Sequence, residues 1–278
     1  AAQLAVLPLL VGYFHQVHLV SLVSNILLVP VLELAAILTI LGLALESLTL
    51  LPLLGECLDF VLLGGESLIG FSAWLVKQVL VQAKFLASLP FSTVVVGSLP
   101  LWSGGVYYFG LLLWADVPCL QFLRNRERRG FLILTGTILL GTLLWKQLAL
   151  MPFTTYFLDV GQGDCAVIVT PARKVIVIDT GGLRNFDTGS RVLVPFLRSL
   201  GKSKVDALLL SHGDYDHAGG AEGLARNMKL ERIILPATES VSEAEKALLR
   251  KAKDSFVERA SVGRKYELDG TVLEIVAV

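Results

Sequence analysis

Three kinds of residue are scarce in this 278-residue chain: cysteine, histidine and, in its first half, charge. The three cysteines, Cys57, Cys119 and Cys165, are far apart and show no paired spacing. That excludes a disulfide framework and a zinc-knuckle pattern, and leaves them as small buried apolar residues. There are four histidines, His15, His18, His212 and His217, so any imidazole chemistry must use two close pairs. The formal net charge is zero, which removes a global electrostatic argument for nucleic acid. Of 48 charged residues, 14 fall in positions 1–150. The first half therefore has a lipid-facing composition and the second an ordinary soluble one, with the expected domains at 1–150 and 151–278. The chain opens at Ala1 within apolar sequence and stops at Val278 within a strand-like stretch. A fragment lacking sequence at both ends is the expectation, and no signal peptide can be judged from such a start.

In chain order, Leu4 to Val11 reads as the tail of a helix or a re-entrant piece. His15 and His18 are spaced to share a helix face, as packed or interfacial residues rather than a metal pair. Leu19 to Leu45 is long enough to span a bilayer, with a kink or break expected at Pro30. Asn25 and Glu33 within it face either a water-filled path or a neighbouring helix. Leu48 to Leu63 is a shorter apolar segment ending at Gly64-Gly65. Glu66 to Leu86 mixes Trp74 and Phe85 with Lys77 and Lys84, as an interfacial amphipathic helix would. Pro90 and Pro100 bracket a loop. Leu101 to Leu123 is a span with Trp102, Tyr107 and Tyr108 as interface anchors. Arg124, Arg126, Arg128 and Arg129 follow, then the apolar segment Phe131 to Trp145 with Lys146 snorkelling. Four arginines between two spans place that loop in the cytoplasm, with nucleic-acid contact as the alternative; one crossing later the chain emerges outside.

The soluble half alternates strands and helices. Strands are expected at Thr155–Val160, Ala166–Thr170, Lys174–Asp179, Val205–Leu210, Ile233–Leu235 and Phe256–Ala260, and in a hairpin turning at Asp269-Gly270. Helices are expected at Ser190–Leu200, from Ala221 to Met228, and at Ser242–Lys253, a charged surface helix. Strand pairs followed by strand–helix alternation suggest a sheet sandwich flanked by helices.

The densest chemistry lies just after the Val205–Leu210 strand, in Ser211-His212-Gly213-Asp214-Tyr215-Asp216-His217-Ala218-Gly219-Gly220. Imidazole and carboxylate in one irregular loop suit Zn or Mn. The pairs His212/Asp214 and Asp216/His217 can point to two neighbouring ions, about 3.5–4 Å apart in two-metal sites. The bland alternative is a polar turn with Asp216 capping the next helix.

This motif resembles the metal-binding motif of metallo-β-lactamase-fold hydrolases, which usually carry His where Asp214 stands. Together with Asp159-Val160-Gly161-Gln162-Gly163-Asp164 and Asp179-Thr180-Gly181, it is similar to the soluble domain of DNA-internalisation competence proteins of the ComEC type. Asn25-Ile26-Leu27-Leu28-Val29-Pro30 resembles their competence-domain helix, and the resemblance covers essentially the whole chain. It implies a polytopic α-helical membrane domain followed by an α/β (αββα) metallo-β-lactamase-like domain. It also implies a multi-pass inner-membrane protein that passes single-stranded DNA, with membrane lipid and other DNA-uptake proteins as partners. The outer domain would hold two divalent ions, Zn or Mn, and degrade the strand that does not enter. By that analogy His212 and Asp214 serve one ion, Asp216 and His217 the other, and Asp216 orients the attacking water. Asp179 would brace the loop from behind. Asp164 and Gln162 either line the site or merely form a tight turn with Gly161 and Gly163. The family takes a further His and Asp from downstream motifs, and no histidine follows His217. The stretch as given is thus expected to bind metal weakly and to have little activity. The alternative is a membrane-tethered metallohydrolase for a small ester, lactam or phosphodiester.

Overall fold

The computed structural model describes residues 2–48, 58–90, 92–115, 125–148, 152–183, 185–238 and 241–276. Cys57 and Cys119 lie outside these residues. Two compact units separate: Val17–Val94, and Ala1–Gln16 together with Val95–Val278.

The first unit is a hairpin of two long helices, α2 (Val20–Leu48) and α3 (Leu58–Ser88). Both contain stretches long and apolar enough to cross a membrane: Val23–Leu48, with mean hydropathy 2.5, and Phe60–Ser88, with 1.4. α2 continues through Pro30. α3 corrects the sequence reading, because Gly64-Gly65 does not end a segment and the Glu66–Leu86 stretch belongs to one continuous helix. Packing gives the reason. A Cβ on Gly65 would lie 2.8 Å from the Glu46 side chain, and one on Gly42 would lie 2.7 Å from Ile69. The glycines let the helix backbones approach closely. A 2.7 Å bond between the Thr39 and Ser72 hydroxyls crosses the same seam. Asn25 and Glu33 are both exposed.

The helices of the second unit are α1 (Ala2–Phe14), α4 (Leu101–Trp114) and α5 (Asn125–Leu148). Pro8 lies inside α1 and cannot donate to the Leu4 carbonyl one turn back. The Tyr107 hydroxyl donates to that carbonyl at 2.8 Å, and Tyr108 donates to the Ala5 carbonyl at 2.9 Å. The two tyrosines therefore tie α4 to α1. Arg128 donates to the Leu113 carbonyl at 2.7 Å, in the last turn of α4. α1 ends at His15, whose φ is +56°, and His18 lies in a short strand β1 (Gln16–His18) that pairs with β2 (Thr93–Val95). The two histidines therefore share no helix face.

The rest of this unit is built on a six-stranded sheet in the order β3 (Thr154–Phe157), β4 (Ala166–Val169), β5 (Val175–Ile178), β6 (Lys204–Leu209), β7 (Lys229–Leu235) and β8 (Phe256–Arg259). β3 to β5 are antiparallel, and β5 to β8 are parallel. β5 is a continuous apolar run, Val175–Ile178, and β6 and β7 end in apolar runs at 207–209 and 233–235, as burial within a parallel sheet requires. On one face, Val177, Leu208 and Ile233 join a core with Leu197 of α6 (Val194–Ser199), Leu224 of α8 (Ala221–Asn227) and Leu248 of α9 (Glu243–Lys251). A one-turn helix, α7 (Tyr215–Ala218), precedes α8. On a second, smaller core, Leu209 and Ile234 of the sheet meet Tyr266 and Leu273 of the hairpin β9 (Lys265–Leu268)–β10 (Thr271–Glu274). The hairpin turns at Asp269-Gly270, both with positive φ. The Ser190–Leu200 helix of the sequence reading is in fact a π-helical turn, Gly189–Leu193, followed by α6. Pro195 sits in the first turn of α6, where its missing N–H costs nothing.

Candidate metal centre

β5 and β6 are parallel neighbours, so the loops leaving their C-terminal ends emerge side by side. One carries Asp179-Thr180-Gly181-Gly182, the other the motif from Ser211. A third loop, 159–165, joins them through backbone bonds. Gly181 N–H donates to the Asp164 carbonyl at 2.9 Å, and Gly182 N–H to the Gln162 carbonyl at 3.2 Å. Thr180 N–H donates to the His217 carbonyl at 2.7 Å. Glycine is required where these loops touch. A Cβ on Gly163, whose φ is +78°, would overlap the Asp216 carbonyl, and one on Gly182 would overlap the Tyr215 carbonyl.

The centre of the arrangement is Asp179. Its residue is 4% exposed and its φ is +56°, in the left-handed region that Asp tolerates better than most side chains. Its carboxylate accepts from Ser211 N–H at 2.8 Å, from the Ser211 hydroxyl at 2.6 Å and from His217 Nδ1 at 3.0 Å. A carboxylate only accepts, so His217 carries a proton on Nδ1, and in the neutral ring Nε2 is the open nitrogen. The single Ser211 proton is committed to Asp179. At the 2.9 Å contact between Ser211 Oγ and His212 Nδ1 the imidazole must therefore donate, and His212 too presents a bare Nε2. One buried carboxylate sets the tautomer of both rings, whose centroids are 3.9 Å apart.

His212, Asp216 and His217 offer ligand atoms that all lie within 4.8 Å of one another. Asp216 Oδ2 is 3.7 Å from His217 Nε2. Asp214 stands outside this trio. Its side chain is 80% exposed and its Oδ2 is 3.8 Å from His212 Nε2. Asp214, not Asp216, occupies the N-cap position of α7, without a side-chain cap bond. Gln162 and Asp164 are exposed, and their carbonyls accept from Gly182 and Gly181 of the neighbouring loop. Cys165 lies close to Asp179, but burial first and the Asp179 charge second push its thiol pKa up to about 12. Its sulfur is not among the ligand atoms that converge in the trio. Two bare imidazole nitrogens and a carboxylate with one open side fit a divalent ion.

Sequence reasoning gave no role to Ser211 or Glu245. Ser211 was visible as the first polar residue after the strand. Glu245 was hidden in α9, which reads as a charged surface helix. It is in fact fully buried at 0% exposure, and a Cβ on Gly213 would lie 2.6 Å from its Oε1. Burial raises its pKa against the opposing charge of Arg259.

Comparison with known proteins adds two families. Residues 158–277 match the Metallo-beta-lactamase superfamily, and residues 1–121 match Competence protein. ComE operon protein 3 of Bacillus subtilis is 28% identical over 299 residues, covering 99% of this chain and 34% of that protein. Uncharacterized protein YcaI of Escherichia coli is 24% identical over 224 residues, 80% of this chain and 26% of its own length. Recombination protein 2 of Haemophilus influenzae is 35% identical over 115 residues, 41% of this chain and 14% of its own length. The chain thus spans 34% or less of these relatives. The superfamily match implies divalent metal binding by the C-terminal part.

Proposed function

Because the chain belongs to the competence proteins of the ComEC type, in which a metallo-beta-lactamase domain follows the competence region, we propose that it serves DNA uptake during natural transformation. In this reading residues 1–150 belong to a multi-pass inner-membrane channel domain for single-stranded DNA. Residues 151–278 belong to a hydrolase domain on the outer side that degrades the strand left behind. The cluster of His212, Asp216 and His217 on the Asp179 base carries the hydrolase reading.

The two Nε2 atoms and the Asp216 carboxylate would hold the ion, with Asp214 free to serve a second one; Zn or Mn suits these donors. A bound divalent ion supplies Lewis acidity and makes water a nucleophile at neutral pH. With one Asp216 carboxylate oxygen toward the ion, the other would orient a water and accept its proton. Asp179 holds both imidazoles in the tautomer that keeps Nε2 open.

Full-length protein incubated with single-stranded DNA and Zn or Mn should cleave it, and Asp216→Ala should lower the rate by 100-fold or more, as general-base loss typically does (roughly 10²–10⁴-fold). Absence of metal-dependent cleavage by the unaltered protein sinks the nuclease reading. One observation favours a second reading, a metallohydrolase for a small ester, lactam or phosphodiester: the charged side chains at the loop itself, Asp179, Asp214 and Asp216, are acidic, whereas a DNA grip is basic. Turnover of such esters without cleavage of DNA would select it.

A further inference from the structure

Opposite the metal loop, the sheet has an edge of different character. Thr154 pairs with Val169, Val169 with Val175, and Lys204 with Lys229, so β3, β5, β6 and β7 all begin at this edge. It carries Arg173, Lys174, Lys202, Lys204, Lys229, Lys251 and Lys253, and the acids Asp206, Glu231, Asp254 and Asp269. Lys174 is engaged by Asp206 and Asp269, and Lys204 by Glu231 and Asp206. Lys202 is buried and donates to the Arg173 carbonyl at 2.7 Å. Lys229, Lys251 and Lys253 are exposed and make no ion pair among the described residues. Lys229 and Lys251 flank a cleft of about 360 Å³ where α8 and α9 end, floored by Met228 and Ala252.

The same edge is the one that meets the helices. Ser98 N–H, two residues before Pro100 and α4, donates to the Ser199 carbonyl at 2.8 Å, and Gly97 packs against Gly201 at the end of α6. β3 begins six positions after the end of α5, a reach of at most about 20 Å. Lys229, however, opens β7, Lys251 ends α9 and Lys253 lies in the turn from α9 into β8, and β7 and β8 are four and five strands from β3. At about 4.8 Å per strand that is roughly 20 Å to the side of the linker. A surface beside the ends of membrane helices, but displaced laterally from them, faces headgroups.

We propose that Lys229, Lys251 and Lys253, with the cleft between α8 and α9, form a docking face for anionic phospholipid headgroups, which holds the soluble domain upright with its metal loop turned away from the bilayer. The proposal rests on the membrane reading above. It is tested with the full chain in nanodiscs of phosphatidylglycerol or phosphatidylcholine, by hydrogen exchange at residues 226–230 and 250–255. Slower exchange in phosphatidylglycerol, reversed by high salt, is expected. Lys229→Gln with Lys251→Gln and Lys253→Gln should lower the docked-to-free ratio by on the order of 100-fold, about fivefold per lysine, with metal content unchanged. Equal exchange in the two lipids, or full protection in the triple variant, overturns the proposal. So does protection in phosphatidylcholine that appears only with a single-stranded oligonucleotide, which would make this a nucleic-acid face. Rapid exchange throughout α2 and α3 would instead overturn the membrane reading itself, and the docking face with it.

Discussion

Asp179 joins three polar groups that otherwise have no reason to align. Its carboxylate bonds Ser211 twice and His217 once, and through Ser211 it also fixes His212. Asp179→Asn keeps the volume but turns one acceptor oxygen into a donor, so at least one ring loses the support for its Nδ1–H. Metal affinity, measured by titration with a chromophoric chelator, should fall roughly 10–100-fold, the usual cost of losing such a partner. Unchanged affinity would mean that the rings are set by something other than this network. The neighbouring Cys165 supplies a contrast. Burial raises its thiol pKa to about 12, and its sulfur does not converge with the ligand atoms of His212, Asp216 and His217.

Among the elements, the one-turn helix α7 decides the site more than any strand does. It lies against the loops at 161–163 and 180–182 with no room for a side chain between them. Gly163→Ala must both adopt a left-handed φ of +78° and displace the Asp216 carbonyl. The expected cost is at least about 1–3 kcal/mol of stability from the backbone conformation alone, and metal binding should weaken as α7 moves. Chemical denaturation and metal titration of the same variant measure both; an unchanged transition with unchanged affinity would show that the loops can part freely. In the membrane half the corresponding elements are Gly42 and Gly65, which set how closely α2 and α3 pack.

For the whole molecule, the arginine-bearing start of α5 and the sheet lie at opposite ends of a 24-residue helix, about 36 Å at 1.5 Å per residue. That length can cross a bilayer. With the native cysteines replaced by alanine, Arg126→Cys and Ser261→Cys should react with an impermeant maleimide from opposite sides. In intact cells the Ser261 position should be labelled, and the Arg126 position only after permeabilisation. Labelling of both from outside would exclude a crossing by α5.

Local chemistry was readable residue by residue. The alternation of apolar runs and turns gave the strands of the sheet, because the runs at 175–178, 207–209 and 233–235 lie in its buried middle. The spacing His-x-Asp-x-Asp-His gave the metal loop, because few other turns need two imidazoles and two carboxylates. What the chain alone could not decide were contacts between distant segments. Gly64-Gly65 looks the same in sequence whether it ends a helix or seats one against Gly42. Tyr107 reads as an interface anchor, and only the fold shows that its hydroxyl serves the Leu4 carbonyl, which Pro8 leaves without a donor. Glu245 carries a surface residue's charge yet lies at 0% exposure behind Gly213. The division of ligands was likewise a tertiary matter. The fold brings ligand atoms of His212, Asp216 and His217 within 4.8 Å of one another and keeps the exposed Asp214 3.8 Å from His212, its partner by spacing, while α7 turns His217 back onto Asp179.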